Sequence, residues 1–309
     1  MNLRFLETFT TLARIGNVRR TAEAMHVTPS TISMRISSLE DELGHALFHH
    51  DQKGLTLTEQ GARLLPHAES VLSATRRFQE AVGDSDAISG RVRVGVMESV
   101  VHTCLPALIK AVRARLPEVE LDLSVDLTES LTTNLMRGTL DLILCVGKER
   151  RSAYLACQDL MNLSVHWVAR RGLVPPDNFM QKTLSHPLLT PMTGTGPHQE
   201  AVFLAQQLAI ENDFPVDMLR VSGSPSLAAL VALAREGMGV AIVPGLFVKE
   251  QIERGELELL PLPSPPDLLV SQWRHPNAAP AVLHVAHVLR EACVQYCRQQ
   301  GESWVRAAA

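Results

Sequence analysis

The sequence predicts an α/β chain with a small helical head at its N-terminus, and three observations carry that prediction. Up to Gly44 the apolar residues recur at helical spacing in short runs, closed by a glycine or a polar turn. A single long helical pattern then runs from Thr58 to Val82. From Gly90 onward, strand-like runs alternate with helical ones, the texture of an open sheet flanked by helices. At 309 residues the chain is too long for one small core, and two or three domains are expected.

In the head, Phe5, Phe9, Leu12 and Ala13 share one face of a first helix that ends near Gly16. Asn17 caps a second helix, Val18 to Met25, whose Val18, Ala22 and Met25 face inward. After the tight connection "HVT", Thr28 caps a third helix and Pro29 takes its first position, where a missing N–H is harmless. Ile32, Ile36, Leu39 and Leu43 form one buried stripe, and Gly44 ends the helix. "HALFHHDQKGLTLT" then reads as a hairpin turning at Asp51-Gln52-Lys53-Gly54.

The long helix opens with Thr58 as its cap and contains Pro66. Leu64, Ala68, Val71, Thr75, Phe78 and Val82 alternate steps of four and three, a heptad seam suited to a partner helix or to packing on the chain's own body. "GDSDAISG", Gly83 to Gly90, is the clearest linker. Beyond it, "RVRVGV", "VELDLSVDL", "LDLILCV", "LSVHWVAR", "HPLLT", "MLRVS" and "GVAIVP" read as strands, with helices at Leu105 to Leu116, Leu131 to Arg137, His198 to Ile210 and Leu227 to Glu236.

A formal net charge of -4 argues against a chain that coats nucleic acid along its length. The head differs in sign: Arg4, Arg14, Arg19, Arg20 and Arg35 face only Glu7 and Glu23 up to Leu39, a local basic footprint. No apolar run approaches the roughly 18 residues a membrane helix needs, and the amphipathic start does not read as an export signal. Five scattered cysteines therefore read as reduced thiols of a cytoplasmic protein. Cys293 and Cys297, one helical turn apart, fit buried packing better than a redox pair.

Two short helices on a tight turn, the second polar on its outer face, make a helix-turn-helix whose second helix fits the major groove of double-stranded DNA. Ser30, Ser33, Met34 and Arg35 are the candidates for base edges, with Thr28 and Pro29 opening that face. Asn17, Arg19, Arg20 and Thr31 suit phosphates, and Lys53 at the hairpin tip suits an adjacent backbone or the minor groove. From Val18 the chain reads V-x-x-T-A-x-x-M-x-x-T-P-x-x-I-S-x-x-I-x-x-L-E-x-x-L-G-x-x-L-F, then L-T-x-x-G from Leu57. This resembles the winged helix-turn-helix of LysR-type transcriptional regulators. "LPALIKAVRARLPEVEL", "LMRGTLDLILCV" and "LVALAREGMGVAIVP" follow in that family's order, so the resemblance covers nearly the whole chain. The sequence departs from the family's usual glutamine at Pro29, alanine at Thr21, and arginine at Met34 and His50.

The resemblance implies a winged head over 1–58, a dimerising linker helix and hinge over 59–89, and two α/β subdomains of periplasmic-binding-protein type. The first subdomain would cover 90–162 and 268–300, the second 163–267, with a small-molecule effector in the cleft. It further implies a homotetramer with two DNA heads per dimer and allows RNA polymerase as a partner. In open sheets ligands bind beyond the carboxyl ends of strands. There the loops offer Glu98, Ser99, His102 and Thr103, then Thr128, with Ser99 and Thr128 at positions that hold effectors in the family. Across the cleft, "PMTGTGPHQEAVF" offers Thr193, a helix N-terminus for an anion and Phe203 as a wall. The hydroxyls equally suit helix caps, and His102 equally suits a structural role. Glu98 beside His102 favours an effector with a donor or cationic group.

None of G-x-x-x-x-G-K-[ST], H-E-x-x-H, G-x-S-x-G or C-x-x-C occurs, and His49 and His50, adjacent on a strand, point to opposite faces. No catalytic residue, metal site or cofactor is expected. The chain is read as a regulator, not an enzyme or a plain binding protein.

Overall fold

A computed structural model describes residues 2–51, 54–80, 88–147 and 155–308. Its contacts divide the chain into two units. One holds the N-terminal elements through the long helix together with Thr132–Asp141 and Asn277–Pro280, and the other holds the remainder.

The head begins with α1 (Leu3–Ile15), α2 (Val18–Ala24) and α3 (Pro29–Leu43). The second and third start at the residues the sequence predicts: Asn17 Oδ1 accepts from Arg20 N–H at 3.1 Å, and Thr28 Oγ1 accepts from Thr31 N–H at 3.2 Å. Gly16 and Gly44 take left-handed φ values of 68° and 71°, which closes α1 and α3. The wing pairs β1 (Phe48–Asp51) with β2 (Gly54–Leu57) antiparallel, Phe48 opposite Leu57. Leu6, Phe9, Leu12, Ile32, Ile36, Leu39, Leu47 and Phe48 fill the core beneath them. Glu40 ties α3 to the wing, its carboxylate accepting from Leu47 N–H at 2.7 Å and Phe48 N–H at 3.3 Å.

The long helix α4 (Glu59–Glu80) is capped by Thr58, whose Oγ1 accepts from Gly61 N–H and donates to Ala46 C=O. Its apolar seam divides in two. Leu64 and Ala68 pack into the head's own core, whereas Val71 and Phe78 stay exposed, Phe78 at 73%. Val82 and residues 83–87 of the expected linker lie outside the described residues.

The second unit contains two sheets. The larger is built from β3 (Gly90–Val96), β4 (Val119–Val125), β5 (Leu142–Val146), β6 (Ala156–Leu163), β12 (Leu268–Arg274) and β13 (Val305–Ala307). Their spatial order is β13-β6-β12-β5-β3-β4, with β3 parallel to both β4 and β5. It carries α5 (Glu98–Val101), α6 (Leu105–Arg115) and α12 (Pro280–Gln300), and the start of α7 (Thr128–Met136), whose residues from Thr132 on belong to the first unit. The smaller joins β7 (Val165–Arg170), β8 (Leu188–Pro191), β9 (Val221–Ser224), β10 (Val240–Pro244) and β11 (Leu257–Leu259) in the order β11-β7-β10-β8-β9. Its helices are α8 (Phe179–Ser185), α9 (Gly196–Glu211), α10 (Leu227–Arg235) and α11 (Gly245–Glu253). The chain crosses between the sheets at Ser164 and again between Leu259 and Leu268. "LSVHWVAR" is therefore not one strand: Ser164 divides β6 of the larger sheet from β7 of the smaller.

Candidate nucleic-acid interface and effector cleft

The outer face of α3 is exposed at Pro29, Ser30, Ser33, Met34 and Ser37. Thr28 Oγ1 lies 2.9 Å from Ser30 Oγ and 2.8 Å from Thr31 Oγ1, and Ser33 Oγ donates to Pro29 C=O at 3.2 Å. Arg35 does not share this face: its guanidinium donates to Thr8 Oγ1 of α1 at 3.3 Å, and Thr8 is fully buried. Asn17, Arg19 and Arg20 are exposed around the start of α2.

In the second unit, the carboxyl ends of β3 and β5 and the start of α7 form a compact polar knot. Thr128 Oγ1 donates to Met97 Sδ at 2.8 Å and approaches Val146 C=O at 3.3 Å, while Val146 N–H donates to the same sulfur at 3.2 Å. Beside it Ser99 is buried to 4% exposure, and its hydroxyl has no hydrogen-bond partner among the described residues. Such an orphaned hydroxyl costs about 1–3 kcal/mol unless something completes it. Thr103 Oγ1 donates to Ser99 C=O at 2.6 Å.

Glu98 crosses to the lobe of the smaller sheet. Its Oε2 accepts from Leu227 N–H at 2.8 Å, and its Oε1 accepts from Ser226 Oγ at 3.1 Å and Ala228 N–H at 3.4 Å. A carboxylate at the first turn of α10 satisfies free N–H groups and complements the helix dipole. His102 Nε2 lies 3.5 Å from Glu98 Oε1, and its ring sits 4.7 Å from that of Phe247 in α11. In the smaller sheet's own loops, Thr195 donates to Met192 C=O at 2.7 Å instead of capping α9, so no side chain caps that helix. Thr190 Oγ1 pairs with His198 Nδ1 at 2.8 Å. Thr193 is exposed, and Gly223 makes room for it: a Cβ there would lie 2.6 Å from Thr193 Oγ1.

Comparison with known proteins matches residues 3–62 to the family described as "Bacterial regulatory helix-turn-helix protein, lysR family" and residues 85–294 to "LysR substrate binding domain". The chain belongs to the LysR-type transcriptional regulators. It is 29% identical over 257 residues to the HTH-type transcriptional regulator IlvY of Escherichia coli K12, covering 82% of this chain and 85% of that one. A full-length OxyR variant from Pseudomonas aeruginosa superposes with a TM-score of 0.74 at 21% identity, over 96% of this chain and 97% of that one. CbnR complexed with its target DNA superposes at 0.64 with 17% identity, over 95% and 100% of the two chains. No described helix is long and apolar enough to cross a membrane.

Like its relatives, this LysR-type regulator combines a DNA-binding helix-turn-helix with an effector-binding domain. The fold brings together Thr28, Ser30, Ser33 and Met34 on one exposed surface of α3, and Glu98, Ser99, His102 and Thr103 around α5. Three expectations change. Arg35 braces α3 against α1 instead of facing outward with Met34, because position 35 lies beside the buried Ile36 stripe. Glu98 is not a free acceptor for a cationic effector, because both its oxygens are engaged at α10. Phe203 stands 61% exposed on the stripe of α9 that also carries Ile210, apart from the helix's first turn. Lys53 lies outside the described residues, as does the side chain of His50. Thr21 is fully buried and donates to Asn17 C=O at 2.8 Å, so its departure from the family touches the core and not the DNA face.

Two contributors escaped the sequence reading. Ser37 lies on the exposed stripe of α3, four residues beyond Ser33, and helical spacing points to it. Ser226 caps α10 and donates to Glu98; its position before "LAALVALAR" is the signal of a helix start. Cys104, Cys293 and Cys297 are buried free thiols, and burial pushes Cys104 up to about 12, far from a reactive thiolate.

His166 lies two residues past the crossing at Ser164. Burial holds its imidazole below the ordinary value of 6.5, against a Ser303 backbone hydrogen bond and Asp267, which act the other way. Its Nε2 is buried without a partner among the described residues, and Trp304 packs on the ring at 5.7 Å. A depressed histidine favours the folded state fully above its unfolded value and loses that contribution as pH falls. Melting temperature should therefore fall between about pH 7.5 and 5.5, and His166→Gln should flatten that slope. An identical slope in both proteins would contradict this.

Proposed function

We propose that this regulator reads operator DNA with α3 and switches on a small anionic effector held between its two sheets. The observation that carries the effector half is Ser99, a buried hydroxyl without a partner among the described residues at the carboxyl edge of β3. Thr128, Thr103 and Thr193 supply further hydroxyls, and the first turn of α9, which no side chain caps, supplies N–H groups suited to a carboxylate. His102 borders the same site. Ser30, Ser33 and Met34 face base edges, with Thr28 and Pro29 opening the helix toward the groove. Asn17, Arg19, Arg20 and Thr31 hold phosphates, and Lys53, outside the described residues, is assigned to the adjacent backbone or minor groove.

This reading includes a division into head, 1–58, linker helix and hinge, 59–89, and two subdomains, 90–162 with 268–300, and 163–267. The exposed half of α4, Val71 and Phe78, is the part free to pair with a second copy. Two such heads need half-sites about one helical turn, or a multiple of it, apart. We further assign the protein to the cytoplasm as a homotetramer that contacts RNA polymerase and catalyses no reaction.

A thermal-shift panel of small carboxylic and amino acids tests the effector site. Ser99→Ala is expected to weaken the stabilising compound at least about tenfold while leaving DNA affinity unchanged. Equal affinity in the variant would remove Ser99 from the site.

A further inference from the structure

The exposed stretch of α3 from Pro29 to Ser37 presents no charge. Pro29, Ser30, Ser33, Met34 and Ser37 make up that surface, and Arg35, the only cation of the helix, is drawn back onto Thr8. The hydroxyls at the start of α3 already bond to one another, and Ser33 donates to Pro29 C=O. What remains projecting is the thioether of Met34, 59% exposed. A large apolar side chain flanked by small ones on a solvent face gains only when something apolar covers it.

The major groove offers one apolar feature, the C5 methyl group of thymine. Guanine is read bidentately by Arg or Lys and adenine by Asn or Gln, and this surface has none of the four; its serine hydroxyls can pair with either base and so discriminate little. We infer that Met34 reads a thymine methyl group, so that the operator carries T·A and not G·C pairs beneath the middle of α3. The small side chains of Ser30, Ser33 and Ser37 let the helix approach closely enough for that contact. This inference rests on the reading that α3 occupies the major groove.

The test uses the full-length protein and a duplex it selects from a random pool. Each thymine of the half-site is replaced in turn by deoxyuridine, which deletes the methyl group alone. At one or two adjacent positions the native protein should lose about fourfold in affinity, the worth of one buried methyl. Met34→Ala should bind more weakly on the parent duplex and be indifferent to those same replacements, while Met34→Leu should keep the dependence. Native binding that ignores every deoxyuridine, or a Met34→Ala variant as sensitive as the native protein, would overturn the inference. Exchange of each T·A pair for a cytosine·inosine pair, which alters the major-groove edge and leaves the minor-groove edge unchanged, reports groove occupancy separately. Lost affinity on that exchange without methyl dependence sinks the thymine assignment alone, whereas indifference to it at every position sinks the groove reading itself.

Discussion

Replacing Glu98 by alanine is expected to loosen the two lobes of the effector-binding domain from one another. Glu98 is rooted in α5 on the larger sheet, and its carboxylate receives Ser226 Oγ, Leu227 N–H and Ala228 N–H from the smaller sheet's lobe. Hydrogen bonds to a charged group contribute about 1.5–3 kcal/mol each when well sheltered. The Glu98 side chain is 24% exposed, so we expect about 2–4 kcal/mol for the set and not the full sum. For a domain of this size that corresponds to a fall of roughly 5–15 °C in melting temperature. Glu98→Gln keeps one carbonyl acceptor and should lie between. Spin labels on the exposed positions Glu120 and Glu200 should report a broader and longer distance distribution in Glu98→Ala. An unchanged distribution would show that the carboxylate does not hold the lobes. Because closure is the step an effector is expected to bias, the variant should also respond more weakly to any stabilising compound.

Gly61→Ala is expected to have the largest effect on the head. A Cβ at Gly61 would lie 2.2 Å from the Leu47 carbonyl oxygen, a backbone atom already fixed by the Thr58 N–H at 2.9 Å. Neither α4 nor the wing can yield without breaking the Thr58 cap and the Glu40 bonds that hold Leu47 and Phe48. Overpacking of this kind costs about 3 kcal/mol or more where backbone must move. Calorimetry of the full chain should place the head's transition more than about 10 °C lower, with specific DNA binding lost at assay temperatures at which the native head is folded. Retention of the native transition would contradict the close packing of α4 on the wing.

Most of the head was legible because its signals are local. Asn17, Thr28 and Thr58 are caps, Gly16 and Gly44 are stops, and the Ile32–Ile36–Leu39 stripe is a helical period, all readable within a few residues. The strands that escaped notice depend on distant partners. β6 and β12 carry Gln158, Asp159, Ser271 and Gln272 in their interiors, which spoils the apolar run expected of a central strand. Two of those polar groups find partners across the sheet: Gln272 Nε2 donates to Gln158 Oε1 at 2.8 Å, and Ser271 Oγ to Asp159 Oδ1 at 2.7 Å. No local pattern reveals such a pairing between segments so far apart in the chain. β13 is three residues long and exists only because β6 offers it an edge.

The site divides in the same way. Ser99 and Thr128 follow strands as the sequence reading expects, though on α5 and at the start of α7 and not in loops, but the occupant of Glu98 could not be read from its neighbours. His102 is a turn away, just past the same helix, and the pair suggested a ligand contact. The Leu227 N–H that takes the carboxylate lies 129 residues on. Arg35 misled for a related reason: a charged residue beside an apolar stripe can face outward or fold back, and the deciding partner, Thr8, lies on another helix.

Whether α3 reads sequence is decided by fluorescence anisotropy of the full-length protein on the duplex upstream of its own gene, against a scrambled duplex, at two salt concentrations. A regulator that reads sequence with α3 should bind the native duplex at least about 1,000-fold more tightly, with both affinities falling as salt rises. Binding of neither duplex would contradict it, whereas equal, salt-sensitive binding of both would mean a DNA head aimed at another sequence.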